Sequence, residues 1–125
     1  MKVIDTTIVV DYLRGIPNAI DLLQEMLRSG EDVIASELVR FELIAGARSS
    51  ELESLDRFLS ALTLLPVDED VAHAGGVLAR AHRLSHNGID DVDYLIAATA
   101  LVVGADLLTT NVRHFPMIDG LQAPY

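Results

Sequence analysis

The sequence predicts an α/β fold in which a small, mostly parallel sheet of four to five strands lies between helices, and three observations carry that expectation. Short apolar runs of strand length occur at Lys2 to Ile4, Val33 to Ala35, Leu64-Leu65 and Asp106 to Thr109, and stretches with helical spacing separate them. Strands joined by helices rather than by tight turns pair in parallel, with helices on both faces. Four prolines and eight glycines punctuate the 125 residues at short intervals, with no linker, repeat or low-complexity run, as in one compact domain over 1–125.

Each element has a local reason. Lys2 to Ile4 is the first strand, and a short helix follows to Leu13, ended by Gly15 and Pro17. A second helix covers about Asn18 to Arg28, where Ile20, Leu23, Met26 and Leu27 recur at helical spacing and Gly30 supplies the stop. After the strand at Val33 to Ala35, Ser36 caps a third helix to about Ala45, with Leu38, Phe41 and Ala45 on one face and Glu42 near the middle. Ser50-Glu51-Leu52-Glu53 has capping-box spacing and opens a helix to about Leu62. Leu64-Leu65 is the third strand, closed by Pro66.

Asp68, Glu69 and Asp70 load the positive end of a fifth helix, whose Val71, Ala74, Leu78, Ala81 and Leu84 face the core until Asn87-Gly88. Asp91-Val92-Asp93 then leads into Tyr94 to Val103, apolar nearly all round, as in a helix buried on most of its circumference, and Gly104 ends it. Asp106 to Thr109 is the fourth strand, with Thr110 to Phe115 at its C-terminal end.

Hydrophobic residues make up 50% and charged residues 22%, enough apolar surface for a packed core and too little charge for a disordered chain. Cysteine is absent, which excludes a thiol nucleophile, a disulfide and a Cys-ligated zinc site. The first apolar stretch is broken by Asp5 and Asp11, too short and too charged for a signal peptide or a membrane span, so a cytoplasmic protein is expected. A formal net charge of −10 repels nucleic acid globally, so any contact with it has to be made locally. Arginine supplies all but one of the nine bases, and Lys2 is the exception.

Four residues stand where chemistry is expected. Asp5 and Asn111 lie just past strand ends, where open α/β sheets bind ligands, and Asp93 lies in the first turn of a buried helix. Glu42 joins them only if its helix turns that face toward the same crevice. Oxygen donors of this kind suit Mg²⁺ or Mn²⁺, and without a cation several packed carboxylates repel one another until some protonate. A metal so held activates water and neutralises charge on a phosphodiester, which is nuclease or phosphatase chemistry. Taken one at a time, the same acids also suit a helix cap, a dipole complement and a solvated helix face.

These stretches, in order, resemble a family. Val3-Ile4-Asp5-Thr6-Thr7, Glu42-Leu43 with Gly46 four residues after the acid, Asp93 to Ala100, and Thr109-Thr110-Asn111-Val112-Arg113-His114-Phe115 are similar to the PIN-domain ribonucleases, in particular the VapC-type toxins of type II toxin-antitoxin pairs. The resemblance implies a three-layer α/β/α domain and a metal-dependent endoribonuclease that uses metal-activated water, with Asp5, Glu42 and Asp93 binding Mg²⁺ or Mn²⁺. It places the family's fourth acidic position at Asn111, which offers an oxygen without charge. It also implies an RNA substrate, a cognate antitoxin whose C-terminal segment covers the active-site groove, and a homodimer.

Around these four, Thr6 and Thr110 are candidate supporting hydroxyls. Asp91 is an auxiliary acid by position, but about 200° of helical rotation from Asp93 makes it a better N-cap. Arg40, Arg48 and Arg113 are candidate RNA contacts. His82 and His86 have the i, i+4 spacing of a metal pair, with Arg83 where a zinc protease carries its Glu. His73 projects from roughly the opposite side of that helix, and His114 reads equally as a core-edge residue or a substrate contact.

Two other readings share the fold class. A signalling receiver domain also binds Mg²⁺ at strand ends, but such domains have a mid-chain phosphoacceptor Asp and a late Lys, and Lys2 is the only lysine here. A non-catalytic PIN-like module that binds RNA or protein is weighed down by the intact Asp5, Glu42 and Asp93 set.

Overall fold

The computed structural model describes all 125 residues. β1 (Lys2–Ile4), α1 (Thr6–Leu13), α2 (Pro17–Arg28), β2 (Val33–Ser36), α3 (Glu37–Gly46), α4 (Leu52–Ser60), β3 (Thr63–Leu65), α5 (Glu69–His82), α6 (Asp91–Val103) and β4 (Asp106–Leu108) follow in chain order. Short 3-10 turns lie at Ser49–Glu51 and Val112–His114. The sheet has four strands in the order β3-β2-β1-β4, every pair parallel. Val3 pairs with Ile34 on one side and Leu107 on the other, so β1 is central and buried from both flanks.

The order explains the layering. From β1 to β2 to β3 the chain moves outward in one direction, and right-handed crossovers put α1 to α4 on one face. The last crossover returns across the sheet to β4, so α5 and α6 cover the opposite face. Between β1 and β4 the direction reverses, and the crevice beyond their C-terminal ends is the switch point where such sheets bind ligands. α5 approaches α6 closely at Gly75, where a Cβ would come within 2.8 Å of Leu95 Cδ2.

Burial corrects several expected faces. α3 buries Val39 and Leu43, while Phe41 is 63% exposed and Ala45 lies in solvent. The helix is turned by about one residue from the Leu38, Phe41, Ala45 face, because its inner side must meet both α1 and α4. α2 uses Ala19, Leu23 and Met26, leaving Leu27 exposed, and Pro17 opens this helix as well as ending the previous one. α5 stops at His82, so Ala81 is exposed and Leu84 is 98% exposed. The expected capping box at Ser50 is displaced: the Glu51 carboxylate accepts from the Arg48 N–H at 2.7 Å, and the 3-10 turn precedes α4.

Candidate active site at the switch point

Asp5 follows β1 directly, and its N–H donates to the Leu108 carbonyl at 2.9 Å, tying the end of β1 to the end of β4. It holds the N-cap position of α1, yet its side chain makes no cap hydrogen bond and is buried at the crevice floor. Thr109 Oγ1 donates to Asp5 Oδ2 at 2.7 Å. Thr7 Oγ1 lies 3.4 Å from the same oxygen and 3.3 Å from Thr109 Oγ1, and accepts the Thr110 N–H at 3.2 Å. The hydroxyls after both strands thus brace Asp5 from two sides.

Burial pushes the Asp5 carboxyl up from its ordinary value; the Thr109 hydroxyl and the Thr6 N–H oppose this, and the charge of Asp93 adds to the rise. Asp93 is also raised, first by burial, against the His114 ring and the Asp90 N–H that favour its charged form, and the charge of Glu42 raises it further. Asp93 thus acts on Asp5 and is acted on by Glu42, and in each case the neighbouring carboxylate raises the other.

Asp93 occupies the first turn of α6, where Asp90 rather than Asp91 is the N-cap. The Asp90 N–H reaches Asp93 Oδ2 at 3.4 Å, in the manner of a capping box. Asp91 points outward to an ion pair with Arg83 and takes no part in the crevice. The mid-helix Glu42 is oriented by Thr6, whose Oγ1 donates to Glu42 Oε1 at 2.7 Å. Helical spacing left that orientation open, and a hydroxyl from α1 fixes it.

Asn111 closes the rim between β4 and the 3-10 turn. Its N–H donates to Thr109 Oγ1 at 3.0 Å, and its side-chain amide makes no hydrogen bond within the chain. His114, at the end of that turn, places Nδ1 3.0 Å from Asp93 Oδ2. Sequence reasoning left His114 open, and the usable signal was its place three residues after Asn111, one 3-10 turn on. Arg40 is engaged by Glu37, Arg113 is exposed, and Thr110 contributes its N–H rather than its hydroxyl.

No three His, Asp or Glu side chains close into a ready-made cation cage. Each acid instead uses one oxygen on a neighbouring donor, while Glu42 Oε2 and Asp93 Oδ1 remain without a hydrogen bond. An all-oxygen, mutually repelling donor set suits a hard divalent cation by chemistry and charge. Beside it, a groove of about 560 Å³ opens from Thr6 and Glu42 between α1 and α3. Val10, Leu13, Leu43 and Leu55 form its apolar wall, and Arg14 and Arg48 line it as well.

Comparison with known proteins defines the class: the family model of the PIN domain matches residues 2–121, and the chain belongs to the PIN-domain family. Within it the sequence is of the VapC type. It is 66% identical over 125 residues to Ribonuclease VapC19 of Mycobacterium tuberculosis strain H37Rv, covering 100% of both chains. Ribonuclease VapC10 of the same strain is 38% identical over 125 residues, covering 100% of this chain and 93% of that one. VapBC2 from Rickettsia felis, solved on a DNA fragment from their promoter, superposes with a TM-score of 0.80 at 25% identity, over 98% of this chain and 96% of that one. A toxin-antitoxin complex from Klebsiella pneumoniae gives 0.79 at 24% identity, over 100% and 98%.

Proposed function

We propose that the chain is a metal-dependent endoribonuclease toxin, restrained by a cognate antitoxin. The observation that carries this is the bracing of Asp5 by Thr109, of Glu42 by Thr6 and of Asp93 by His114 around the switch point, where the charge of Asp93 acts on Asp5 and that of Glu42 on Asp93. The ribonuclease name of the 66% identical relative supports the substrate class, and VapBC2 as the setting of the Rickettsia felis structure supports the partner. Asp5, Asp93 and Glu42 would hold Mg²⁺, with Mn²⁺ as a substitute, and Asn111 would add a neutral oxygen. When bound, the cation supplies Lewis-acid chemistry: it activates water and neutralises charge on the phosphodiester.

The chain's own residues prepare that chemistry. Thr109 and Thr7 hold Asp5, Thr6 holds Glu42, and His114 with the Asp90 N–H holds Asp93, so each of the three carboxylates is fixed by a neighbouring donor. Arg48 beside Glu42, together with Arg40 and Arg113, supplies the local positive charge that RNA needs against a net −10. The groove from Glu42 suits an apolar segment of the antitoxin that also covers the acids, and a basic partner is favoured by the same net charge. A cytoplasmic homodimer is the proposed working form, and no helix is long and apolar enough to cross a membrane.

Two substitutions test the parts. Asn111→Asp is expected to tighten Mg²⁺ binding by calorimetry, because it adds charge where a neutral oxygen stands; unchanged affinity would remove Asn111 from the metal's surroundings. His114→Ala is expected to lower kcat/KM by about 10- to 100-fold, as for outer partners of metal ligands, with His114→Asn restoring part of it by replacing the Nδ1 donor. Equal activity of His114→Ala and the native chain would leave the Asp93 contact without function. For the whole reading, RNA 5′ ends are mapped in cells expressing the native chain or Asp93→Asn. New ends are expected only with the native chain, and identical ends in both would overturn the assignment.

A further inference from the structure

The end of α5 and the turn that follows it carry a second set of ligating groups, separate from the acids. The His86 N–H donates to the His82 carbonyl at 2.9 Å, so helical geometry persists past the end of α5 and both rings project from one side. Their centroids are 5.7 Å apart. Two imidazoles on one tetrahedral ion, with metal–nitrogen bonds of about 2.0–2.1 Å, place ring centres roughly 5.3 Å apart. The observed spacing exceeds that value by about 0.4 Å.

Hydrogen bonds assign the tautomers. His82 Nδ1 lies 2.9 Å from the Leu78 carbonyl, which only accepts, so Nδ1 carries the proton and Nε2 carries the free lone pair. Ser85 Oγ lies 3.2 Å from the His82 carbonyl and 2.9 Å from His86 Nδ1, and in the arrangement where it donates to the carbonyl it accepts from Nδ1. In that arrangement His86 also presents a free Nε2. Such a bond to the other ring nitrogen is what orients histidine for a metal. Arg83, between the two, is drawn away to Asp91 and to the face of Tyr94, 5.8 Å from its ring centre, so no cation occupies the space between the rings.

We propose that His82 and His86 form a two-imidazole chelate for a borderline divalent ion of the Zn²⁺, Ni²⁺ or Cu²⁺ class, with water in the remaining positions. No third His, Cys, Asp or Glu completes it, so the site is open and exchangeable. With Arg83 in place of a general base it is a binding site without hydrolytic chemistry. Imidazole nitrogens select this class over Mg²⁺, which keeps the site distinct from the carboxylates. An ion there pins the root of the segment 83–90, whose far end is the Asp90 cap that bonds Asp93.

The test titrates Zn²⁺ alone into Asp5→Asn, which weakens the carboxylate site, and follows the side-chain nitrogen resonances of the histidines. About one equivalent of Zn²⁺ is expected to shift His82 Nε2 and His86 Nε2, while the same concentration of Mg²⁺ leaves them in place. His82→Ala and His86→Ala are each expected to weaken this binding at least about tenfold, and Ser85→Ala to weaken it less. His82→Gln and His86→Gln replace the Ala variants if those melt earlier without metal. Zn²⁺ shifts confined to His114, or equal Zn²⁺ affinity in native and His-substituted chains, would overturn the proposal.

Discussion

Asp5→Asn is expected to lower kcat/KM for RNA cleavage at least about a hundredfold and, at neutral pH without divalent cation, to raise the melting temperature. The first effect removes one of three charges from the proposed metal site. The second follows from linkage. Burial raises the Asp5 carboxyl in the fold above its ordinary value, so the folded chain holds that proton more tightly than the unfolded one. The associated stability is fully present below the unfolded value and is lost as pH rises through the raised folded value. Ionising Asp5 in the fold places a charge in a buried position beside Asp93, whereas Asn keeps an oxygen that accepts from Thr109 without that charge. The melting difference should shrink toward pH 3, and added Mg²⁺ should stabilise the native chain more than the variant. A variant less stable than the native chain at pH 7 and equally Mg²⁺-responsive would contradict this account.

The largest effect on stability is expected from Phe115→Ala, at about 3–5 kcal/mol. The ring is 1% exposed and among the largest fully buried side chains. Its backbone ends the 3-10 turn, donating to the Val112 carbonyl at 3.0 Å and accepting from the Ile118 N–H at 3.2 Å. The ring is the apolar anchor of the segment that carries Asn111 and His114 to the crevice. Against a total of about 5–15 kcal/mol for a domain of this kind, the loss should lower the melting temperature by at least about 10 °C, with activity falling well below the transition. A melting shift under about 3 °C would show that the turn is held by something other than this anchor.

The parts of the candidate site that depend on chain neighbours are legible in the sequence. Asp5, Asp93 and Asn111 adjoin a strand end or a helix start, and a parallel sheet brings those ends to one edge whatever the details of packing. Glu42 depended on the rotation of α3, which is set by contacts with α1 and α4 and by the Thr6 hydroxyl, 36 residues away. Phe41 and Ala45 show how far apolar spacing alone can mislead there, since a mixed pattern permits two neighbouring faces. His114 had no visible role because its partner Asp93 is 21 residues earlier and across the sheet edge. Leu84 looked like core because it continues the period of α5, yet the helix stops at His82 and leaves it nothing to pack against. Asp91 lost the cap to Asp90, a shift of one residue of the kind that helix starts commonly show.

On the proposed mechanism, Asp5, Glu42 and Asp93 together cut RNA through a divalent cation. Purified chain incubated with RNA in Mg²⁺, in Mn²⁺ and in EDTA, beside Asp5→Asn in Mg²⁺, tests it most directly. Cleavage is expected in the two metal conditions with the native chain alone, and none in EDTA or with the variant. Equal cleavage by the native chain in EDTA and in Mg²⁺ would contradict that mechanism.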